Sequence, residues 1–208
     1  MVFGGYNESQ VVGGADGLFN MPLASKELNP TNFWGVEAQG FLYGSTMIYD
    51  PKTEPALLAV IDSGTTLCMI PYNIYDGLMM GIAKKLKHDP SVDFICTREE
   101  DSETLGPCYF NKTRCVDVTS KLEPMRFIFG NIVYEIKIDA FLKDVSPSSQ
   151  MSGPPPPIPP GQAYDGGCMF ELRPAKDRDG TEDAESEHKF LMGNTFLKNF
   201  VSVYDYDQ

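Results

Sequence analysis

Apolar residues in this chain arrive in short runs, and glycine, proline, asparagine or aspartate closes almost every one of them. Such runs suit the strands of a sheet, which are short and need turn residues between them, whereas helices need longer periodic stretches. Phe33 to Tyr43 and Thr46 to Tyr49 read as strands paired around Gly44-Ser45. Pro55 to Ile61 is a β-rich apolar run that ends on an acid, Asp62. Arg126 to Phe129 and Ile132 to Ile138 read as a hairpin across Gly130-Asn131, a two-residue connection suited to a tight primed turn. Lys189 to Met192 and Phe200 to Tyr204 read as the last strands. Two stretches break this punctuation. Tyr72 to Lys87 sets Ile74, Leu78, Ile82 and Leu86 four apart, the stripe of an amphipathic helix with lysines late in it. Gly193 to Phe200 reads as a shorter helix. The expected class is all-β with short helices.

Three stretches read as surface loops inserted in that framework: 89–112, polar and holding two cysteines; 146–161, rich in proline; and 175–188, dense in charge. Proline cannot join a ladder, so 146–161 reads as an extended excursion, more often a plain loop than a ligand for a partner domain.

The chain has 208 residues and a formal charge of −12. An acidic surface repels phosphates, which argues against nucleic acid and anionic membrane as partners. No apolar run approaches the ~20 residues that span a bilayer. The first residues hold no basic segment and no apolar signal core, and read as the inside of a domain already begun. Of the five cysteines none forms a Cys-x-x-Cys pair, and there are only two histidines, His88 and His188, so neither zinc nor another metal or cofactor is expected. Asn7-Glu8-Ser9 and Asn111-Lys112-Thr113 match the N-glycosylation acceptor pattern. With the cysteines they lean toward an oxidising, secretory compartment.

The segment that carries chemistry is Ala59-Val60-Ile61-Asp62-Ser63-Gly64-Thr65-Thr66-Leu67. A carboxylate at the end of a core strand is costly unless donors surround it. Ser63, Thr65 and Thr66 supply hydroxyls, and Gly64 lets the backbone turn and present N–H groups to the acid. The bland alternative is an ordinary Asp-Ser-Gly turn. From average composition, the whole pattern arises by chance in on the order of one chain in 10,000 of this length.

These residues resemble the Asp-Thr/Ser-Gly-Thr/Ser motif that pepsin-like aspartic proteases carry in each of two lobes. Further features are similar to the C-terminal lobe of that family, in order: Phe3-Gly4-Gly5, Phe33-Trp34, Pro71 followed by a helix, and Leu191-Met192-Gly193-Asn194-Thr195-Phe196-Leu197 with the closing Val203-Tyr204-Asp205. The resemblance implies the C-terminal lobe of a bilobal acid protease, occupying 1–208 and incomplete at both ends. It implies peptide hydrolysis by two facing aspartates and an activated water, with Asp62 as one of them. Gly64 would orient its carboxylate, Thr65 would buttress the pair by a cross-lobe hydrogen bond, and Ser63 and Thr66 would sit at or beside the site. The second aspartate is absent, since Asp179-Gly180-Thr181 lies in a charged stretch without an apolar lead-in. It would come from an N-terminal lobe, in the same gene or as a processed light chain, and 1–208 alone would be inactive. Asn194 stands where the family usually has aspartate. The resemblance also pairs Cys115 with Cys168, leaves Cys96 with Cys108 as a second bridge, and leaves Cys68 as a core thiol. It implies a polypeptide substrate and a lysosome-like, vacuolar or secreted location. The competing reading is an inactive protease-like module that binds peptides or proteins.

Overall fold

The computed structural model describes residues 6–98, 105–145, 166–175 and 189–205. Twelve strands and three short α-helices lie among them. The first sheet contains β1 (Gly35–Tyr43), β2 (Thr46–Tyr49), β3 (Leu57–Ile61), β4 (Cys68–Ile70), β7 (Met125–Phe129), β8 (Ile132–Ile136), β11 (Leu172–Pro174) and β12 (Lys189–Met192). The second contains β5 (Asp93–Arg98), β6 (Leu105–Asn111), β9 (Leu142–Val145) and β10 (Gly167–Phe170). The chain is mostly β with few helices, as its punctuation indicates.

Local chemistry explains the hairpins. Gly130 and Asn131 both have positive φ, 55° and 65°. Those left-handed values make the primed turn whose twist matches the strands it joins, β7 and β8. Helix α1 (Tyr72–Leu86) buries Ile74, Tyr75, Leu78, Met79, Ile82 and Leu86 and ends with Lys84 and Lys85 facing its negative pole. Its Tyr75 hydroxyl donates to Gly106 O at 3.1 Å, and Asp76 Oδ1 accepts from Leu105 N at 3.2 Å. The helix is therefore pinned to the start of β6. One core runs between both sheets, with Phe41, Phe110, Phe127, Phe170 and Phe190 almost wholly buried in it. Truncating any of these rings to alanine costs about 3–5 kcal/mol.

The topology that matters for function is the order β4-β12-β3, with β12 parallel to β3 and antiparallel to β4. The link from β3 to β4 must therefore cross the end of the strand lying between them. That link is the Asp62 turn.

Three expectations are corrected or bounded. The stretch 89–112, read as a loop, holds the β5/β6 hairpin, because Cys96 faces Cys108 in register and Tyr109 and Phe110 are buried. Phe200 to Tyr204, read as a strand, has no regular structure, and Val201, Val203 and Tyr204 are 40–50% exposed. A strand needs a partner, and none among the described residues runs beside it. Phe3-Gly4-Gly5, 146–161, 176–188 and His188 lie outside the described residues.

Candidate active site

Strand β3 delivers Asp62 to the surface from four buried residues, Leu57 to Val60. Its backbone is fixed on both sides: Ile61 N donates to Trp34 O at 2.7 Å, and Asp62 N donates to Met192 O on β12 at 3.2 Å. Both carboxylate oxygens are engaged. Oδ1 accepts from Gly64 N at 2.8 Å and Oδ2 accepts from the Thr65 hydroxyl at 2.6 Å. Asp62 itself is half-buried, and Ser63, Gly64 and Thr66 are exposed around it. A side chain at Gly64 would crowd Oδ1, since a Cβ there would stand 3.0 Å from it.

The Thr65 hydroxyl has a single proton, and Oδ2 takes it. Within this chain Thr65 therefore grips the carboxylate directly.

The turn rests on the segment after β12. Asn194 N donates to Thr65 O at 2.8 Å, Thr195 N donates to Thr66 O at 3.0 Å, and Asn194 Nδ2 donates to Ser63 O at 3.3 Å. An aspartate at 194 has no N–H to make the last of these bonds. Gly193 has φ −79°, an ordinary value, so its constraint is space. A Cβ there would lie 2.1 Å from Leu67 O and 2.6 Å from Thr65 O.

Asp62 opens onto a cleft of about 650 Å³. Ile61, Met69 and Leu191 give it apolar walls, Lys189 a cationic one, and Trp34 and Tyr204 an aromatic one. The two rings meet edge to face with centroids 5.2 Å apart. Burial raises the Tyr204 phenol pKa, and the negative charge of Asp62 adds to the rise. Sequence reading missed Lys189, Tyr204 and Leu191 as cleft residues because each scored as ordinary strand. Behind the cleft Asn29 is buried, and its amide brackets the backbone of Phe33, accepting from Phe33 N at 3.1 Å and donating to Phe33 O at 2.8 Å.

The remaining expected residues fall elsewhere. Cys115 bonds to Cys168 and Cys96 to Cys108. Cys68 is a free, buried thiol, and burial pushes it up to about 12. Tyr75 is a core residue and His88 is exposed. Asn7 is exposed, and its Oδ1 accepts from Ser9 N and the Ser9 hydroxyl. Asn111 is half-buried in β6, with Nδ2 donating to Asp93. Among the described residues no cluster of three or more His, Cys, Asp or Glu is arranged to hold a metal. No described helix is long and apolar enough to cross a membrane.

The chain is 23% identical to rhizopuspepsin-1 from Rhizopus niveus over 141 residues, which are 68% of this chain and 28% of that protein. It is similar to the crystal structure of the aspartic proteinase from Irpex lacteus at 16% identity and a TM-score of 0.48, covering 86% of this chain and 41% of that one. The chain spans less than half the length of either relative. The family model described as eukaryotic aspartyl protease matches residues 1–208, and the chain belongs to that family.

Proposed function

We propose that residues 1–208 are the C-terminal lobe of an aspartic endopeptidase and that Asp62 is one of its two catalytic carboxylates. The second aspartate comes from an N-terminal lobe outside this sequence, on the same gene or as a processed light chain. The observation that carries this reading is the grip on Asp62. Both oxygens are oriented by donors of the same turn, while the cleft before them stays open to a polypeptide.

Two facing carboxylates ~3 Å apart cannot both ionise easily and share one proton. The ionised member takes a proton from a bridging water, which attacks the scissile carbonyl, and the protonated member donates to the carbonyl oxygen. Acid and base roles belong to the pair, and Asp62 is assigned neither alone. Gly64 N–H and the Thr65 hydroxyl orient the Asp62 carboxylate for this exchange, with Ser63 and Thr66 exposed beside it.

Two disulfides and the family fit a secreted or vacuolar protein. On the proposed reading the full-length protein carries a signal peptide, acquires glycans at Asn7 and Asn111, and works in an acidic compartment or outside the cell.

The test uses the coding sequence extended upstream through the N-terminal lobe and secreted from a eukaryotic host. The intact protein is expected to cleave peptides at acidic pH, and Asp62→Asn to reduce the rate by at least about 10³-fold, the scale of lost acid–base catalysis. Residues 1–208 alone are expected to cleave nothing. Cleavage that survives Asp62→Asn sinks the reading, and peptide binding without cleavage by the intact protein replaces it with the binding module. A secreted product whose mass is unchanged by glycan removal refutes the glycosylation sites.

A further inference from the structure

The geometry behind the Asp62 turn points to a second layer of control, resting on the catalytic reading above. We propose that Thr195, Glu171 and Lys198 are positioning residues that hold the Asp62 turn from beneath.

The carboxylate of Asp62 takes both its hydrogen bonds from its own turn, so its aim is the aim of residues 63–66. On its outer side the turn is exposed to solvent at Ser63, Gly64 and Thr66. Restraint comes from below: Asn194 holds Thr65 O and Ser63 O, and beside it stands Thr195. This residue is 3% exposed. Its backbone N–H and its hydroxyl both donate to Thr66 O, each at 3.0 Å. The hydroxyl oxygen also lies 3.4 Å from Glu171 Oε2. One hydroxyl proton serves one acceptor at a time, so Thr66 O and Glu171 compete for it.

Glu171 is itself a rigid platform. It stands at the junction of β10 in the second sheet and β11 in the first. Its N–H donates to Phe141 O at 2.7 Å, and its carbonyl accepts from Cys68 N at 3.2 Å. Its side chain is only 15% exposed and faces Lys198 Nζ at 3.8 Å. A carboxylate withdrawn from water needs a countercharge and donors, and Lys198 and Thr195 supply them. With Lys198 facing the carboxylate, less is asked of the Thr195 hydroxyl, which keeps donating to Thr66 O. The three side chains thereby connect the junction of the two sheets to the turn that aims Asp62.

The test compares Thr195→Val, Thr195→Ser and Glu171→Gln in the intact two-lobed protein. Thr195→Val keeps the shape and removes the hydroxyl. It is expected to lower kcat about tenfold with KM within twofold, since a small misplacement of a reacting group acts on the chemical step. Thr195→Ser, which restores the hydroxyl, is expected to restore kcat. A shape effect alone predicts the opposite order, with the smaller serine worse than valine, and that result overturns the proposal. The second readout needs no activity. Hydrogen exchange at the Gly64 amide is expected to quicken about tenfold in Thr195→Val and return to the parent rate in Thr195→Ser. If the intact protein cleaves nothing, the catalytic reading fails, while unchanged Gly64 exchange is what defeats this one. Should Thr195→Val not fold, Glu171→Gln carries the same exchange measurement, and Gly64 exchange unaltered there counts against the proposal equally.

Discussion

At the residue scale the site depends on one place with no room for a side chain. Gly193 passes beneath the Asp62 turn with its Cβ direction blocked by two carbonyl oxygens, Leu67 O and Thr65 O. Backbone cannot swing aside as a long side chain does, so the turn itself must move. Gly193→Ala is therefore expected to destabilise the protein by roughly 2–3 kcal/mol, the upper part of the overpacking range. Gly81 in α1 is the matched control: its Cβ would meet only Tyr43 Cδ1, at an ordinary 3.9 Å. Gly81→Ala is expected to stabilise by about 0.5–1 kcal/mol through helix propensity. Urea denaturation of the two variants settles the sign, and a neutral Gly193→Ala would show that the turn is loosely held. The residues touching the carboxylate were legible in the sequence because they are its neighbours: Gly64 and Thr65 lie within three positions of Asp62. The bond that Thr195 makes was not legible. It reaches Thr66 across 129 positions, and no local pattern encodes that meeting.

Among the elements, the end of α1 is held by an ion pair whose pH range is distinctive. Lys121, just before β7, places Nζ 2.6 Å from Asp89 Oδ2 and 2.6 Å from the Ser91 hydroxyl. The bond from Lys121, joined by those from Ser91, lowers the Asp89 pKa from 3.8 to about 2. A folded-state pKa below the unfolded value contributes stability that is present above about 4 and is lost as pH falls through about 2. The link is therefore at full strength above about pH 4 and weakens only below it. Asp89→Asn is expected to have a lower urea midpoint than the parent protein at pH 5, with the gap closing below pH 2.5. A gap that stays constant to pH 2 contradicts the assignment. Elements were legible where their signal is local, as in the α1 stripe and the Gly130-Asn131 turn. They were misread where pairing decides. The β5/β6 hairpin is polar enough to pass for a loop, yet Cys96 and Cys108 face each other and Phe94 stacks near Phe110, with centroids 5.0 Å apart. Phe200 to Tyr204 has β propensity without a neighbouring strand among the described residues, and propensity alone does not make a strand. Its Tyr204 turns to Trp34 instead.

For the molecule as a whole, two crosslinks limit how far the unfolded chain can spread, and their loop lengths differ. Cys115–Cys168 closes a separation of 53 residues, Cys96–Cys108 one of 12. Loop-closure entropy grows with the logarithm of length, so the two are worth about 4 and about 3 kcal/mol respectively. Their native settings widen that gap. Cys96 and Cys108 sit opposite each other in a hairpin that backbone pairing and the contacts of Tyr75 and Asp76 already hold. Cys115 begins helix α2 (Cys115–Thr119), and Cys168 lies between β6 and β9 in the second sheet. That crosslink ties separate elements. The double variant Cys115→Ala/Cys168→Ala is therefore expected to lose at least about 1 kcal/mol more than Cys96→Ala/Cys108→Ala. Cys68 makes the comparison clean. Burial pushes its thiol up to about 12, so the native protein holds almost no thiolate there to attack a disulfide at neutral pH. Thiol titration checks this first, with no reactive thiol expected in the folded variants and one after unfolding. Urea denaturation at pH 7 then gives the two losses. If the short hairpin crosslink proves the more stabilising of the pair, the hairpin is not held by its own contacts, and the second sheet depends on Cys96–Cys108 to form.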